Sequence, residues 1–494
     1  MGNLQKFLRK NYLLILILFV TFFFRLYKAK ELFLYSHDQD LIGWFIKDVV
    51  ENKHLRLIGQ ETSSQGMFVG SLFYYLLIPF YVLFKMDPIA GVYAVAVFSL
   101  FGAFSFYYIF NKIFGKMAGF VASFLYATNY FIILNGREVN PTQPTVFVWS
   151  LWYFYALWGL LKGKKYAYLL LGFLVGLVWH INMTLILLLP LAGIAILLSK
   201  KKFESINLVK GVIILAATSI PLVLFEIRHG FIQSKALFFS LITDRGAVVH
   251  GVAKFERTLH LAAKNTHALL LPPINNMNFI YSFIFLLFVI IVLLYKKILE
   301  KEIVWILAAW LVSYIGFFSI YSMTLSEYYL NGMQSIWMVA LVMFFVVLLS
   351  SNRTKRLGVI LLALFTILNI YRFFTQPVNK SGYVEKKALI AEIKRDAESH
   401  GYPCVAVSYI TKPGYNLGYR YFFWQENMHV NQSKSESPVY SIVFPHSQVD
   451  RIDKSFGALG LIFPDYERYN KKDVTESCSG ENANLTDPLF GFTD

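Results

Sequence analysis

The feature that most constrains this chain is the recurrence of long uncharged apolar runs, separated by short basic clusters. A bilayer's hydrocarbon core is about 30 Å thick and takes roughly 20 apolar residues per helix. Twelve runs approach that length: 12–27, 67–86, 89–110, 117–135, 143–161, 166–181, 183–199, 209–226, 279–295, 303–322, 331–350 and 357–373. Backbone inside lipid must satisfy its own N–H and C=O groups, so such runs fold as helices. An all-α polytopic membrane protein is therefore expected over most of the 494 residues. Charged residues make up 15% of the chain, against about 25% in soluble domains. The mean hydropathy is +0.52. Aromatics reach 18%, with 47 Phe and 31 Tyr, which suits lipid-facing and interfacial rings and excludes a disordered chain.

The net charge of +16 does not mark a nucleic-acid surface, because the basic residues sit in loops between apolar runs, where they set topology. The clusters are Lys6/Arg9/Lys10, Lys112/Lys116, Lys162/Lys164/Lys165, Lys200/Lys201/Lys202, Lys296/Lys297/Lys301 and Arg353/Lys355/Arg356. If all twelve runs cross, five of the six clusters lie outside, against the positive-inside rule. If 67–86 does not cross, all six are cytoplasmic. That run contains Pro79 and ends on Lys85, as a helix in the interface would. About eleven crossings follow, with the N-terminus cytoplasmic and the C-terminal tail outside. The start, MGNLQKFLRKNYLLILILFVTFFF, lacks a small-residue cleavage site and reads as a retained first helix.

The expected domains are a transmembrane one over 1–373 and a small extracytoplasmic α/β one over 374–494. Within the latter, YVEKKALIAEIKRDAESHG has helical spacing with Gly401 as a stop, and CVAVSYI, PVYSIVF and GALGLIF read as strands. Residues 470–494 read as loosely ordered. Cys404 and Cys478 could pair if that end is exported.

This topology gathers 28–66, 136–142, 227–278, 323–330 and the tail on one face. Asp38 and Asp40 follow the first helix. The next stretch has Leu41, Trp44, Phe45 and Val49 on one side and Lys47, Asp48 and Glu51 on another, as an interfacial amphipathic helix has. A carboxylate at the rim of a membrane helix is the group needed to take a proton from an acceptor hydroxyl; Asp38 could equally cap the amphipathic helix. Arg137 and Glu138, in LNGREVNPTQPT, sit at membrane depth, where charges are costly unless used or paired; a mutual ion pair is the plain alternative. Arg228 and His229 close the run 209–226, either as phosphate ligands or as anchors at a helix end.

A basic cytoplasmic start, a first helix ending FRL, an Asp-containing motif, an interfacial helix, the GQETSSQGMFVGSLFYYLL segment and a charged link after a later helix occur in that order and with consistent sidedness. Together they resemble the GT-C superfamily of membrane glycosyltransferases, in the branch of the protein O-mannosyltransferases and the lipid A aminoarabinose transferase. The match is good over 10–230 and covers the later helices only in layout. The resemblance implies a GT-C-like fold and an inverting transfer of sugar from a polyprenyl-phosphate donor to an acceptor hydroxyl on the extracytoplasmic face. It also implies Asp38 as general base and Glu138 as the acidic residue that orients substrate. Many relatives carry adjacent Asp-Glu where this chain has Asp-Gln-Asp, which leaves Asp38 and Asp40 competing, with Asp38 preferred.

The leaving lipid phosphate needs cationic donors, for which Arg137, Arg228 and His229 are the candidates. Asp40, His180, Tyr328 and Tyr329 are expected to contact substrate. A hydrogen-bonded place inside the bundle for His180, and ordinary interfacial enrichment for the tyrosines, are the plainer readings. The loop 227–278, with Arg245, Lys254, Arg257, His260 and Lys264, is either a lid or a solvated loop. No metal-ligand spacing is legible, so no metal is obligatory, although the Asp-Gln-Asp spacing leaves a divalent cation open. The partners implied are a polyprenyl-phosphate-linked sugar, a glycan, lipid or protein acceptor, and the bilayer, with no nucleic acid. A prokaryotic plasma membrane is expected from the Lys, Ile, Phe and Asn usage. Two other functions compete. A ligase or polymerase using lipid-diphosphate donors would centre on Arg228, His229 and 227–278. A lipid-linked sugar transporter would show inverted repeats and broken helices, neither of which is legible.

Overall fold

The computed structural model describes residues 3–62, 66–199, 201, 204–242, 252–271, 279–321 and 325–485. Lys200, Lys202 and Arg245 lie outside the described residues. The chain forms two compact units that interleave in sequence: Met1–Leu26, Glu61–Phe73 and Val95–Gln376 in one, and Tyr27–Gln60, Tyr74–Ala94 and Pro377–Asp494 in the other.

The first unit is helical. Among the described residues of the chain, six helices are long and apolar enough to cross a membrane: Ile89–Phe114, Gln143–Leu161, Ser205–Arg228, Lys301–Ile320, Glu327–Ser350 and Lys355–Thr375. Shorter apolar helices cover Asn11–Leu26, Leu72–Leu83, Tyr166–Ile181, Met183–Leu198 and Ile280–Tyr295. On Ser205–Arg228 the side chains of Val212, Ile213, Ile220 and Ile227 are exposed, which is tolerable only against lipid. The opposite side of that helix meets Tyr166–Gly176 backbone to backbone. A Cβ on Gly172 would fall 2.0 Å from the Gly211 carbonyl oxygen, and one on Gly211 would fall 2.4 Å from that of Tyr168. Between lipid-embedded helices attraction comes from van der Waals contact, and small residues let the backbones approach.

Several apolar runs are not single helices, contrary to the expectation of unbroken spans. The run 117–135 is interrupted at Asn129, between Lys116–Thr128 and Tyr130–Asn135. Asn129 Oδ1 accepts the Ile132 N–H at 3.0 Å and its Nδ2 donates to the Leu269 carbonyl at 2.7 Å. The Tyr130 N–H freed by the break donates to Asn369 Oδ1 at 2.8 Å. Side chains thus close the backbone bonds that a broken helix leaves open in lipid. A second break falls at Asn182, whose Oδ1 accepts the Thr184 N–H at 3.0 Å. The run 67–86 begins as a strand, Phe68–Gly70, and continues as the twelve-residue helix Leu72–Leu83. At 1.5 Å per residue that helix rises about 18 Å, short of the hydrocarbon thickness.

The stretch 227–278 is largely helical over its described residues, 227–242 and 252–271. It contains the helices Ile232–Ile242 and Val252–Leu270. The last two turns of the latter are buried through Ala262, Ala263, Asn265, Thr266, His267, Leu269 and Leu270. Arg257 donates to the carbonyls of Phe318 and Tyr321 at 3.3 and 3.0 Å, and Lys264 pairs with Glu327 at 2.5 Å. The polarity of this helix lies along one face, so a reading by overall hydropathy misses that it packs.

The second unit holds a five-stranded sheet in the order Val430–Asn431, Val405–Thr411, Val439–Phe444, Leu459–Ile462, Lys454–Phe456. The first three run parallel and the last two pairings are antiparallel. The helix Tyr383–His400 lies where the spacing predicts and stops at Gly401. Residues 471–477, expected to be irregular, form a helix whose end is tied by the Cys404–Cys478 disulfide. The helix His37–Glu51 exists as predicted, but it is not a surface helix with one apolar face. Leu41 through Ile46 are all buried, with Phe45 against Tyr74 and Tyr75 and Trp44 against Tyr421 and Trp424. Apolar partners from the tail cover what the amphipathic pattern would give to lipid.

Candidate active site

In the second unit, the helix His37–Glu51 starts at a capping box. The backbone N–H and the hydroxyl of Ser36 both donate to Gln39 Oε1, at 2.9 and 2.8 Å. The cap fixes where the helix begins and so places Asp38 in its first turn, where the helix dipole favours an anion. Asp38 is half-buried and hydrogen-bonded to the side chain of Gln60. Burial pushes its pKa up from the ordinary carboxylate value, and the charge of His37 and the Gln60 bond oppose the shift.

Two residues on, Asp40 is differently placed. It is buried, and its Oδ1 accepts the Tyr35 hydroxyl at 3.1 Å and the Tyr421 backbone N–H at 3.0 Å. Burial raises its pKa as well, opposed first by the Tyr421 N–H and then by the charge of Lys386. Lys386 is itself buried. Its Nζ donates to the Leu417 carbonyl at 3.0 Å and lies 4.4 Å from the Tyr419 ring centre. Burial pulls this ammonium down to about 8, with Asp40 acting against the shift. The half-exposed carboxylate is therefore Asp38, while Asp40 is bonded into the protein.

In the first unit, the break at Asn129 directs the short helix Tyr130–Asn135 into the link that bears Arg137 and Glu138. Arg137 is buried, donates to the Phe24 carbonyl at 2.7 Å and lies 5.9 Å from the Phe373 ring centre. Burial and the nearby Arg25 push its pKa down to about 10, and Glu138 acts to raise it. Arg25, fully buried, donates to the carbonyls of Tyr126 and Ala127, both at 3.1 Å. Glu138 is half-buried. The link ends in a turn where Asn140 Oδ1 accepts the N–H groups of Thr142 and Gln143 at 3.1 and 2.9 Å. Two guanidinium groups and one carboxylate thus meet here, a net positive locus.

His180 uses both ring nitrogens: Nδ1 accepts the Leu72 N–H at 3.3 Å, and Nε2 lies 3.3 Å from the Thr218 carbonyl. Arg228 is exposed at the end of its helix. His229 is stacked on Phe225, with Nδ1 2.9 Å from the Phe225 carbonyl. Tyr328 and Tyr329 contact each other edge to face at 4.6 Å, and the Tyr329 carbonyl accepts the Thr184 hydroxyl at 3.3 Å. Among the described residues, no three His, Cys, Asp or Glu side chains gather as a metal-ligand set.

The crystal structure of ArnT from Cupriavidus metallidurans bound to undecaprenyl phosphate superimposes on the chain with a TM-score of 0.58. The alignment covers 94% of this chain and 99% of that one at 10% identity. The apo structure of the same protein gives 0.57, with 93% and 98% covered, also at 10% identity. The chain shares its fold with that protein. The family model of the dolichyl-phosphate-mannose-protein mannosyltransferases matches residues 70–225, about a third of the chain. No curated protein sequence matches it.

Lys386, Arg420, Tyr421 and Gln60 surround or support the acidic motif and were not legible as site residues. Each is ordinary in its local sequence, and more than 300 residues separate Asp40 from Lys386, Arg420 and Tyr421. Gln60 lies nearer but carries no pattern. Arg25, the middle residue of FRL, had a signal: a lone Arg at the end of an apolar helix.

Proposed function

We propose that the chain is an inverting glycosyltransferase that moves a sugar from a polyprenyl monophosphate to an acceptor hydroxyl on the extracytoplasmic face of the membrane. The observation that carries this reading is Asp38, a half-buried carboxylate held in the first turn of a capped helix with its proton affinity raised, on a GT-C fold. A base whose pKa is raised toward the working pH accepts protons more readily. The acceptor oxygen attacks C1 from the face opposite the phosphate. The C1–O bond to phosphate breaks with its electron pair left on the phosphate, and the acceptor proton passes to Asp38. Water or bulk solvent then relieves Asp38 of that proton.

Polyprenyl phosphate departs with added negative charge, which cationic donors stabilise. Arg137 is assigned to it, with Arg228 and His229 as further ligands of the headgroup. Glu138 orients the sugar or acceptor. His180, Tyr328 and Tyr329 line the approach. The reaction needs no resident metal, because a phosphate already esterified to lipid carries less charge than a diphosphate. The N-terminus is cytoplasmic and the sheet-bearing unit extracytoplasmic, in keeping with the Cys404–Cys478 disulfide, which persists in oxidising compartments.

The test is transfer or hydrolysis of a panel of radiolabelled polyprenyl-phosphate sugars by purified wild type and Asp38→Asn, with and without chelator. Turnover of one donor by wild type, persisting in chelator and lost in the variant, is the expected result. Full activity of Asp38→Asn, or no turnover of any monophosphate donor, would overturn the assignment.

A further inference from the structure

We infer that the segment Gly418–Trp424 of the sheet-bearing unit is a clamp whose task is to set the position of the helix that carries Asp38, with Asp40, Gly43 and Tyr421 as positioning residues. The inference rests on Asp38 being the base. It assigns the C-terminal portion a role in catalysis distinct from acceptor recognition.

Three independent contacts define the clamp, all within one compact unit. The first is polar. The helix Arg420–Gln425 has no side-chain cap of its own at Tyr419, and the first N–H groups of any helix lack intrahelical partners. The Tyr421 N–H is one of these, and Asp40 Oδ1 accepts it at 3.0 Å. Asp40 is thus a cap supplied from a distant helix, and a buried carboxylate at a helix N-terminus is the favourable sense of charge. The second contact is steric. The Tyr421 ring lies flush on the backbone of Gly43, where a Cβ would come 2.7 Å from ring carbon Cδ2. Any side chain at 43 would push the helix off the ring. The third is at the helix start. Gly418, at φ +81°, abuts the Ser36 carbonyl group, with a Cβ falling 2.8 Å from the Ser36 carbonyl carbon. Ser36 is the N-cap residue, so the clamp touches the cap, the first turn and the second turn of one helix, and Asp38 sits between them.

The Tyr421 ring is anchored in turn, since its hydroxyl donates to the Met86 carbonyl at 2.9 Å. Arg420 is held by Asn484: it donates to the Asn484 carbonyl at 2.9 Å, and Asn484 Nδ2 returns a bond to the Arg420 carbonyl at 2.8 Å. Arg420 and Tyr421 are therefore both held by contacts outside the Asp38 helix. A displacement of about 1 Å at a reacting group can cost on the order of 100-fold in rate, so the spacing of these contacts is of catalytic consequence.

The experiment compares Asp40→Asn, Asp40→Ala, Gly43→Ala and Asp38→Asn in the purified full chain, with turnover of the polyprenyl-phosphate sugar identified for wild type. Asn keeps an acceptor oxygen for the Tyr421 N–H, whereas Ala removes it. Asp40→Asn is expected to retain kcat within about 5-fold of wild type, while Asp40→Ala and Gly43→Ala lose about 10- to 100-fold in kcat with KM for the donor within 3-fold. Melting curves of each variant, recorded in the same detergent, identify any that simply fail to fold. Gly43→Ser supplies a second test of the steric contact, and a loss in kcat at least as large as that of Gly43→Ala is expected. Wild-type kcat in both Asp40→Ala and Gly43→Ala would overturn the clamp. So would a folded Asp40→Asn as inactive as Asp38→Asn, because Asp40 would then act by its charge in the chemistry. Full activity of Asp38→Asn would instead overturn the assignment of the base and leave the clamp contacts without a catalytic object.

Discussion

At the scale of single residues, two carboxylates two positions apart have been given different surroundings. Asp40 spends its Oδ1 on two protein donors, and Asp38 keeps a half-exposed carboxylate bonded to Gln60. A base must be ionised to work, and burial raises the pKa of Asp38. The rate is therefore expected to fall, as pH drops, through a value above the ordinary Asp range near about 3.9. A pH profile of kcat/KM measures it, and an acid limb at or below that range would count against Asp38. Gln60→Leu removes the bond that holds the pKa down, so the acid limb is expected to move to still higher pH. At the link, Arg137→Met is expected to raise KM for the lipid donor and lower kcat. Loss of one charge-assisted donor from a developing oxyanion typically costs about 100- to 1000-fold. A kcat/KM within 3-fold of wild type would remove Arg137 from the phosphate site. Asp38 was a candidate in the sequence through the family resemblance, since by spacing alone an acidic residue after a membrane helix reads as an ordinary loop residue or a helix cap. Its distinction from Asp40 was not legible, because that depends on Tyr421, 381 residues away from Asp40.

At the scale of elements, breaks decide where the chemistry-bearing links emerge. Asn129 ends one helix, caps the next and reaches the last turn of Val252–Leu270 through the Leu269 carbonyl. A buried polar network continues from there: Asn331 Nδ2 donates to Asn135 Oδ1 at 3.2 Å, and Asn265 Nδ2 donates to Asn331 Oδ1 at 2.9 Å. Asn129→Leu strips the cap and leaves a buried carbonyl unpaired, which costs about 1–3 kcal/mol. The melting temperature in detergent is expected to drop, with donor turnover impaired because the Arg137–Glu138 link loses its support. An unchanged melting temperature would show that the break is held by other contacts. The existence of most helices followed from apolar runs of helical length, and the tail's helix and three of its strands from spacing and turn residues. The breaks did not, since Asn129 lies inside a run whose average hydropathy hides one polar residue. Val252–Leu270 also escaped, because a helix with a charged face has low hydropathy even when its other face is buried.

At the scale of the whole molecule, a disulfide ties the strand Val405–Thr411 region of the second unit to the helix Lys471–Ser477. The disulfide joins residues 74 apart, and closing a loop of that length confers about 4 kcal/mol in the chain-entropy account. Reduction, or Cys404→Ser with Cys478→Ser, is expected to lower the melting temperature and to sensitise the C-terminal part to proteolysis. A melting curve unchanged by reductant, with reduction verified by thiol labelling, would contradict it. Sidedness is tested by placing a cysteine at the exposed Lys434 in a Cys404→Ser/Cys478→Ser background. An impermeant maleimide should label Lys434→Cys from outside intact cells, and labelling only after lysis would reverse the topology.

The sequence by itself determined that this chain lies in a membrane, that its described spans are helices, that a small α/β portion follows them, and that an acidic pair stands after the first helix. Those are consequences of local composition and period, because lipid demands apolar side chains and internally satisfied backbone over short stretches. Only the tertiary structure decided which carboxylate stays available, where the helices break, and that 27–60 and 74–94 belong with 377–494. Each of these depends on partners far away in the chain. A hydrogen bond from Tyr421 to Asp40, or a ring against Gly43, leaves no periodic trace in the residues on either side.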